Sequence, residues 1–243
     1  MAAVAGATSC TAILGLRDHY VLDDAAADAS TNADSSEDGN ADAHAPITFV
    51  QIGKNAANPA SSVMVTMDSA QNEGDLVVVA VGWQFATATP VVTDSASNMY
   101  NVATPVLTQN AVSQAMYWAT VKAASAGNNA VSVAMGTSVQ YLDVRIVEFS
   151  GVSALDGVAP SQGNSSTPNA GLAKPTIAPD ELLVAAGMAA NVFSDAGPSY
   201  TLEIKTQFSN LLEDRVVHEA GTYTASAPLI ANADWVFQLV TFR

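Results

Sequence analysis

Two apolar runs constrain this chain most: LVVVAVGW from Leu76 to Trp83, and LLVAAGMAA from Leu182 to Ala190. A strand that is apolar at every position, rather than at every second one, needs cover on both faces or a subunit contact. The first run is rich in β-branched Val, which suits a pleated sheet. The second is Ala-rich and has a buried helix as its rival, but Gly187 inside it is costly in a helix interior. Both runs are therefore expected to be central strands.

Around them, from residue 47 to residue 243, short β-rich stretches recur between clusters of Gly, Asn, Asp, Ser and Pro, the pattern of a sandwich or barrel. Val63, Val65 and Met67 fall on one face, as do Val131, Val133 and Met135, and as do Leu202 and Ile204. The two runs also anchor an internal similarity. Gly74-Asp75-Leu76-Val77-Val78 parallels Asp180-Glu181-Leu182-Leu183-Val184, a strand bearing Tyr100 or Tyr200 follows, and each half closes on a strand near Asp143 or Asp234. Residues 152–180 lack periodicity and read as a long crossover loop. The expectation is an all-β chain, an antiparallel two-sheet β-sandwich of jelly-roll or Greek-key type. Its domain spans 47–243, and neither half has a complete core of its own.

The remainder is of another kind. Residues 1–10 run through small apolar residues to Cys10, the only cysteine, and have the look of a partial signal peptide ending in a lipobox, although no base precedes Cys10 and Ala7 stands where Leu is usual. A start placed too far downstream would account for that. Residues 11–46 form a neck and an acidic linker: residues 17–46 hold 8 of the 23 acids and 1 of the 8 bases. Such a segment buries too little apolar area to offset its ordering entropy and is expected to be a disordered, self-repelling tether. A net charge of −15 with no basic cluster argues against nucleic-acid binding. No run is long enough for a spanning helix, so the expected membrane contact is a lipid on Cys10 and the expected location is the cell envelope or outside.

The strings GDLVVVAVGW, VTDSASNMYNV, MYWATVKAASAGNNAVSVAM, DVRIVEFSGVSALDG and EDRVVHEAGTYTA together resemble β-sandwich modules of secreted bacterial proteins, of the concanavalin A-like jelly-roll type. The resemblance covers nearly all of 47–243 and brings no catalytic motif. It implies an extracellular module of the binding or adhesive kind.

The chemistry-bearing residues are sparse. A glucanase of that type would carry carboxylates alternating along one strand. Here Asp143 and Glu148 have an odd spacing that puts them on opposite faces unless a bulge intervenes, and Asp143 with Arg145 reads as a solvated edge. Asp214 and His218 share a face but lie about 13 Å apart along a strand, too far for a base and its orienting carboxylate. Glu213 and Arg215 read as a surface ion pair. Asp94 and Asn98 in DSASN could ligate a structural calcium, or could bond their own turn. Aromatic faces are how a binding module grips sugar rings. Trp83 and Trp235 are expected in the core, which leaves Tyr117, Trp118 and Tyr141 as ligand-binding candidates.

The sequence thus describes a non-catalytic cell-surface binding or adhesion module, contacting an extracellular glycan or protein. A self-associating structural envelope protein is the alternative, and a glycan-acting hydrolase ranks below both.

Overall fold

Both apolar runs are strands, and both are buried on each face. The computed structural model describes residues 45–243 apart from residue 126, and the expected lipidation of Cys10 and the tether up to residue 44 lie outside the described residues. Among the described residues the chain is all-β, with two large antiparallel sheets.

In the first half the strands are β1 (Thr48–Ala57), β2 (Ala60–Thr66), β3 (Leu76–Gln84), β4 (Val91–Asp94), β5 (Asn101–Gln109), β6 (Val112–Thr120) and β7 (Ala130–Ser150). They order as β1-β7-β3-β6-β5, while β2 and β4 pair with the early part of β7, so β7 serves two sheets. The second half repeats the path with β8 (Leu155–Ser165), β9 (Asn169–Gly171), β10 (Glu181–Ala189), β11 (Thr201–Lys205), β12 (Leu211–Val217), β13 (Thr224–Ser226) and β14 (Ala233–Phe242). Its order is β8-β14-β10-β12-β11, with β9 on β13 and a bridge from Phe193 to Leu229 where β4 would pair. The two halves thus follow the same path, with the bridge at Phe193 standing in for β4.

Alternation explains the layers. In β3, Val77, Val79, Val81 and Trp83 meet Val63, Val65, Val131 and Val133 of their own half. Leu183 and Ala185 of β10, with Phe237 and Leu239 of β14, meet Ala170, Leu172, Ala225 and Leu229 likewise. The other faces meet each other: Leu76, Val78 and Ala80 join Leu182, Val184, Ala186, Val240 and Phe242 in one cluster. Each fully buried Val or Leu contributes roughly 1.5–3 kcal/mol, so this middle layer is what holds the two large sheets face to face. Each half therefore has an apolar cluster of its own and completes its burial in a third that the two share.

Three expectations are corrected. Residues 155–165 are not loop but the edge strand β8, paired with β14 along its length. Its inward positions are Gly157, Ala159, Ser161 and Gly163, too small to give an apolar period. Asp143 and Arg145 are not a solvated edge: both are fully buried in the middle layer, where Arg145 Nε lies 2.9 Å from Asp143 Oδ1. Glu213 is buried and accepts a hydrogen bond from the Gly197 N–H, while Arg215 lies over the Tyr223 ring, so they are not a surface pair. Asp143 and Glu148 do lie on opposite faces, because β7 keeps register with β3 from Asp143 to Phe149.

The two terminal nitrogens of the buried arginine are bonded by the opposite sheet and by Gln114 of its own. Its Nη1 donates to the carbonyls of Gly187 and Leu211, and its Nη2 to Gln114 Oε1. Asp143 Oδ2 accepts from Thr206 and Asn210. Gln114 reaches the Ala186 carbonyl and Gln238. Room for the guanidinium comes from Gly82, where a Cβ would lie 3.1 Å from Arg145 Nη2 and 2.7 Å from Met188 Sδ. These directional bonds fix how one half sits on the other, which apolar contact alone does not.

Candidate functional site

The central strands β3 and β10 end beside one another, and between their ends lies a cleft of about 460 Å³. Gln84 and Phe85 border it from the first half, and Met188 to Val192 border it from the second. Tyr141 and Phe208 form one wall, ring on edge at 5.3 Å between centroids. A second cavity of about 270 Å³ adjoins, bordered by Trp83, Thr87, Thr108 and Asn110, and Phe85 borders both.

Each wall has a local cause. Tyr141 sits where β7 leaves its pairing with β2 and begins its pairing with β1 and β3, a corner of the kind made when a strand switches sheets. Its N–H donates to Asn58 Oδ1. Phe208 is at the tip of the β11–β12 turn, closed by bonds from Ser209 N to Thr206 O and from Thr206 N to Asn210 O. Phe85 follows β3 directly. Its N–H donates to Ala111 O, and the Trp83 indole N–H donates to Ala86 O, so the segment after the strand is tied at both sides.

The backbone here is strained. Phe85, Tyr141 and Ser209 have φ of 62°, 53° and 62°, and Asn110 in the adjoining cavity has 51°. For bulky aromatic residues such left-handed geometry costs on the order of 1–3 kcal/mol and persists only where the surroundings impose it. Strain of this kind collects at binding and catalytic sites.

The lining is also uncharged. The cleft is walled by aromatic and aliphatic side chains and by Gln84, Asn191, Gln207, Ser209 and Asn210, with no Asp, Glu, Lys, Arg or His among its lining residues. That stands out in a chain of net charge −15. Gln207 Nε2 donates to Ala56 O and Asn191 Oδ1 accepts from Val192 N, which leaves Gln207 Oε1 and Asn191 Nδ2 without a partner among the described residues. Asn210 is spent, its Oδ1 accepting from Ala189 N and its Nδ2 bonding Asp143. An apolar wall with a few fixed polar groups suits a small neutral molecule bearing both apolar faces and hydroxyls.

Of the aromatic candidates only Tyr141 borders the cleft. Tyr117 is buried and its hydroxyl donates to Pro90 O. Trp118 packs edge-on against Phe242 in the middle layer. Trp83 and Trp235 are core residues. In the DSASN turn, Asp94 accepts from Asn98 N, Asn98 Nδ2, Tyr100 OH and Asn129 Nδ2, and Asn98 Oδ1 accepts from Lys122 N. Both oxygens proposed for calcium are thus engaged by protein donors. Among the described residues no three or more His, Cys, Asp or Glu side chains come together as a metal would require. His218 pairs with Asp180 at 2.6 Å rather than with Asp214, and both are exposed.

Several carboxyl groups are buried away from the cleft. Burial pushes Glu148 up to about 7, with Asp75 adding to the rise and the Gln51 and Gln71 amides opposing it. Burial likewise lifts Glu213 to about 7 against the Gly197 N–H bond, and lifts Asp214 to about 7 with Glu203 beside it. None of these borders either cavity.

Comparison with protein-family models, with curated proteins and with solved structures finds no match. The site rests on its own geometry. Phe85, Phe208, Asn191 and Gln207 carry no strand or motif signal. The one sequence cue to Phe85 is an aromatic residue placed directly after the most apolar strand.

Proposed function

We propose that this chain is a non-catalytic binding module whose cleft between the ends of β3 and β10 takes a neutral saccharide. The observation that carries the reading is an uncharged wall of Tyr141, Phe85 and Phe208 with amide side chains around it, in a strongly acidic chain. Aromatic faces bury the axial C–H surface of a sugar, and Gln207 and Asn191 supply an acceptor and a donor for hydroxyls. An anionic glycan would meet repulsion from the whole protein and find no cation in the cleft. Export and attachment through a lipid on Cys10, with residues 11–46 as spacer, belong to the same reading and would present the cleft outside the cell. Carbonate-washed membranes and mass spectrometry of the Cys10 peptide test that part.

The site is tested by screening the full chain on an array of neutral and charged glycans, then repeating the screen with Tyr141→Ala and Phe208→Ala. Binding confined to neutral glycans and lost in both variants supports the reading. Binding only to charged glycans, or none, or binding unchanged in both variants, overturns it.

A further inference from the structure

Resting on that reading, we infer that the ligand is a linear chain several sugars long, which runs from the cleft over the face of Phe85 into the adjoining cavity, with Phe85 as the platform of its middle unit. The two cavities, about 460 and 270 Å³, share Phe85 as a bordering residue. That ring is the most exposed aromatic side chain in the described residues, at 62%. A single sugar would need only one cavity. A chain places one unit in each and leaves the intervening unit over the shared ring. The second cavity adds polar groups for the next unit, the Thr87 hydroxyl and the Thr108–Ser113 hydroxyl pair, with the Asn110 side chain bonded to Asp234 behind, and again no charged side chain borders it.

The backbone argues that Phe85 is there for contact rather than for stability. Its φ of 62° is a conformation that Asn tolerates and a bulky aromatic does not. An exposed ring on strained backbone gives the fold nothing that Asn or Gly would not give at lower cost. Tyr141 and Ser209 share that left-handed strain along the cleft, and Asn110, which tolerates it, takes the same conformation beside the second cavity.

The test uses the full chain and a graded array of neutral mono- to hexasaccharides, with dissociation constants by calorimetry for those that bind. Affinity is expected to rise with length to at least the trisaccharide. Phe85→Asn should weaken the longest ligand by about tenfold more than it weakens the disaccharide, which meets that ring only at the edge of the cleft, since one stacked ring is worth about that factor. Its melting temperature should be equal to wild type or higher, a combination a merely structural role for Phe85 does not produce. If affinity does not grow with length, or Phe85→Asn weakens short and long ligands alike, the chain inference is overturned while the cleft reading stands. If Phe85→Asn lowers the melting temperature by several degrees, Phe85 is structural and the inference also fails. If no neutral glycan of any length binds, both fall together.

Discussion

Replacing Arg145 by Met should separate the two halves more than any other single change of similar volume. The side chain is fully buried, and it is the centre of four contacts: the Gly187 and Leu211 carbonyls, Gln114 Oε1, and Asp143 Oδ1 at 2.9 Å. Burial pushes the guanidinium pKa down, and Asp143 beside it acts in the opposite sense. Methionine fills most of the volume but donates nothing. Asp143 would then keep Thr206 and Asn210 as donors and lose its counter-charge. Breaking one partner of a buried pair costs about 3–5 kcal/mol, against a total stability of about 5–15 kcal/mol for a domain. At roughly 2–4 °C per kcal/mol for a domain of this size, the melting temperature should fall by roughly 6–20 °C. Urea unfolding followed by tryptophan fluorescence measures the loss. Adding Asp143→Asn to the variant removes the stranded charge and should restore about 1 kcal/mol or more, because the two sites share one interaction. A loss under about 1 kcal/mol for Arg145→Met, or a double variant no more stable than the single one, would refute the pinning argument.

The remaining predictions concern other layers. Gly187→Ala should cost about 1–3 kcal/mol by overpacking, since a Cβ there would stand 2.5 Å from Phe193 Cζ and 2.8 Å from Phe237 Cδ2; thermal unfolding at fixed pH reads it, and an unchanged melting temperature counts against the packing described. Glu148, Glu213 and Asp214 titrate near 7 when folded and near the ordinary carboxyl range when unfolded, so the folded state holds more protons between those values. Their contribution to stability is full below the unfolded values and is lost as pH rises through about 7: the melting temperature should be higher at pH 5 than at pH 8, and Glu148→Gln should flatten that slope, whereas a profile rising with pH would contradict the assignment. Because donors already occupy Asp94 and Asn98, millimolar calcium should leave the melting temperature unchanged, and a rise abolished by Asp94→Asn would favour the calcium reading instead.

What could be read from the chain alone was whatever a single strand encodes. The run from Leu76 to Trp83 declares its burial at every position, and the match of Leu76 with Leu182 marks the duplication, because packing on both faces leaves no polar position to blur the pattern. Strand β8 is silent because its inward side is built from Gly, Ala and Ser, with Leu172 and Trp235 from elsewhere covering it. Asp143 and Arg145 mislead for a different reason: two charges on one strand face are normally solvated, and what satisfies them here comes from carbonyls and side chains 31 to 67 residues away. The cleft is the extreme case. Its walls come from the ends of β3 and β10, from β7 and from the β11–β12 turn, and no window of sequence holds more than one of them.

The duplication does not give both halves the same corner. With Leu76 matched to Leu182, Gln84 is matched to Ala190, but the register of β7 on β3 shifts between Gly82 and Gln84, which sets Gln140 opposite Gln84 and leaves Tyr141 as an extra residue at the corner, whereas β14 stays in register on β10 and reaches Asp234 beside Ala190. The closing aspartates that mark the internal similarity in sequence are therefore not equivalent in space. At the second corner Asp234 binds the amide of Asn164 at 2.9 Å and lies within 3.5 Å of the Gln109 amide, and these bonds hold its carboxyl below the usual range. A charged, self-bonded corner offers a sugar nothing to stack on. The shift that adds Tyr141 to one corner gives that half its aromatic wall, while the other corner holds Asp234 among amide donors. Tyr141→Asp should accordingly abolish glycan binding while leaving the fold intact, as judged by an unchanged far-ultraviolet spectrum. A variant that still bound would show that the wall is not what distinguishes the two corners.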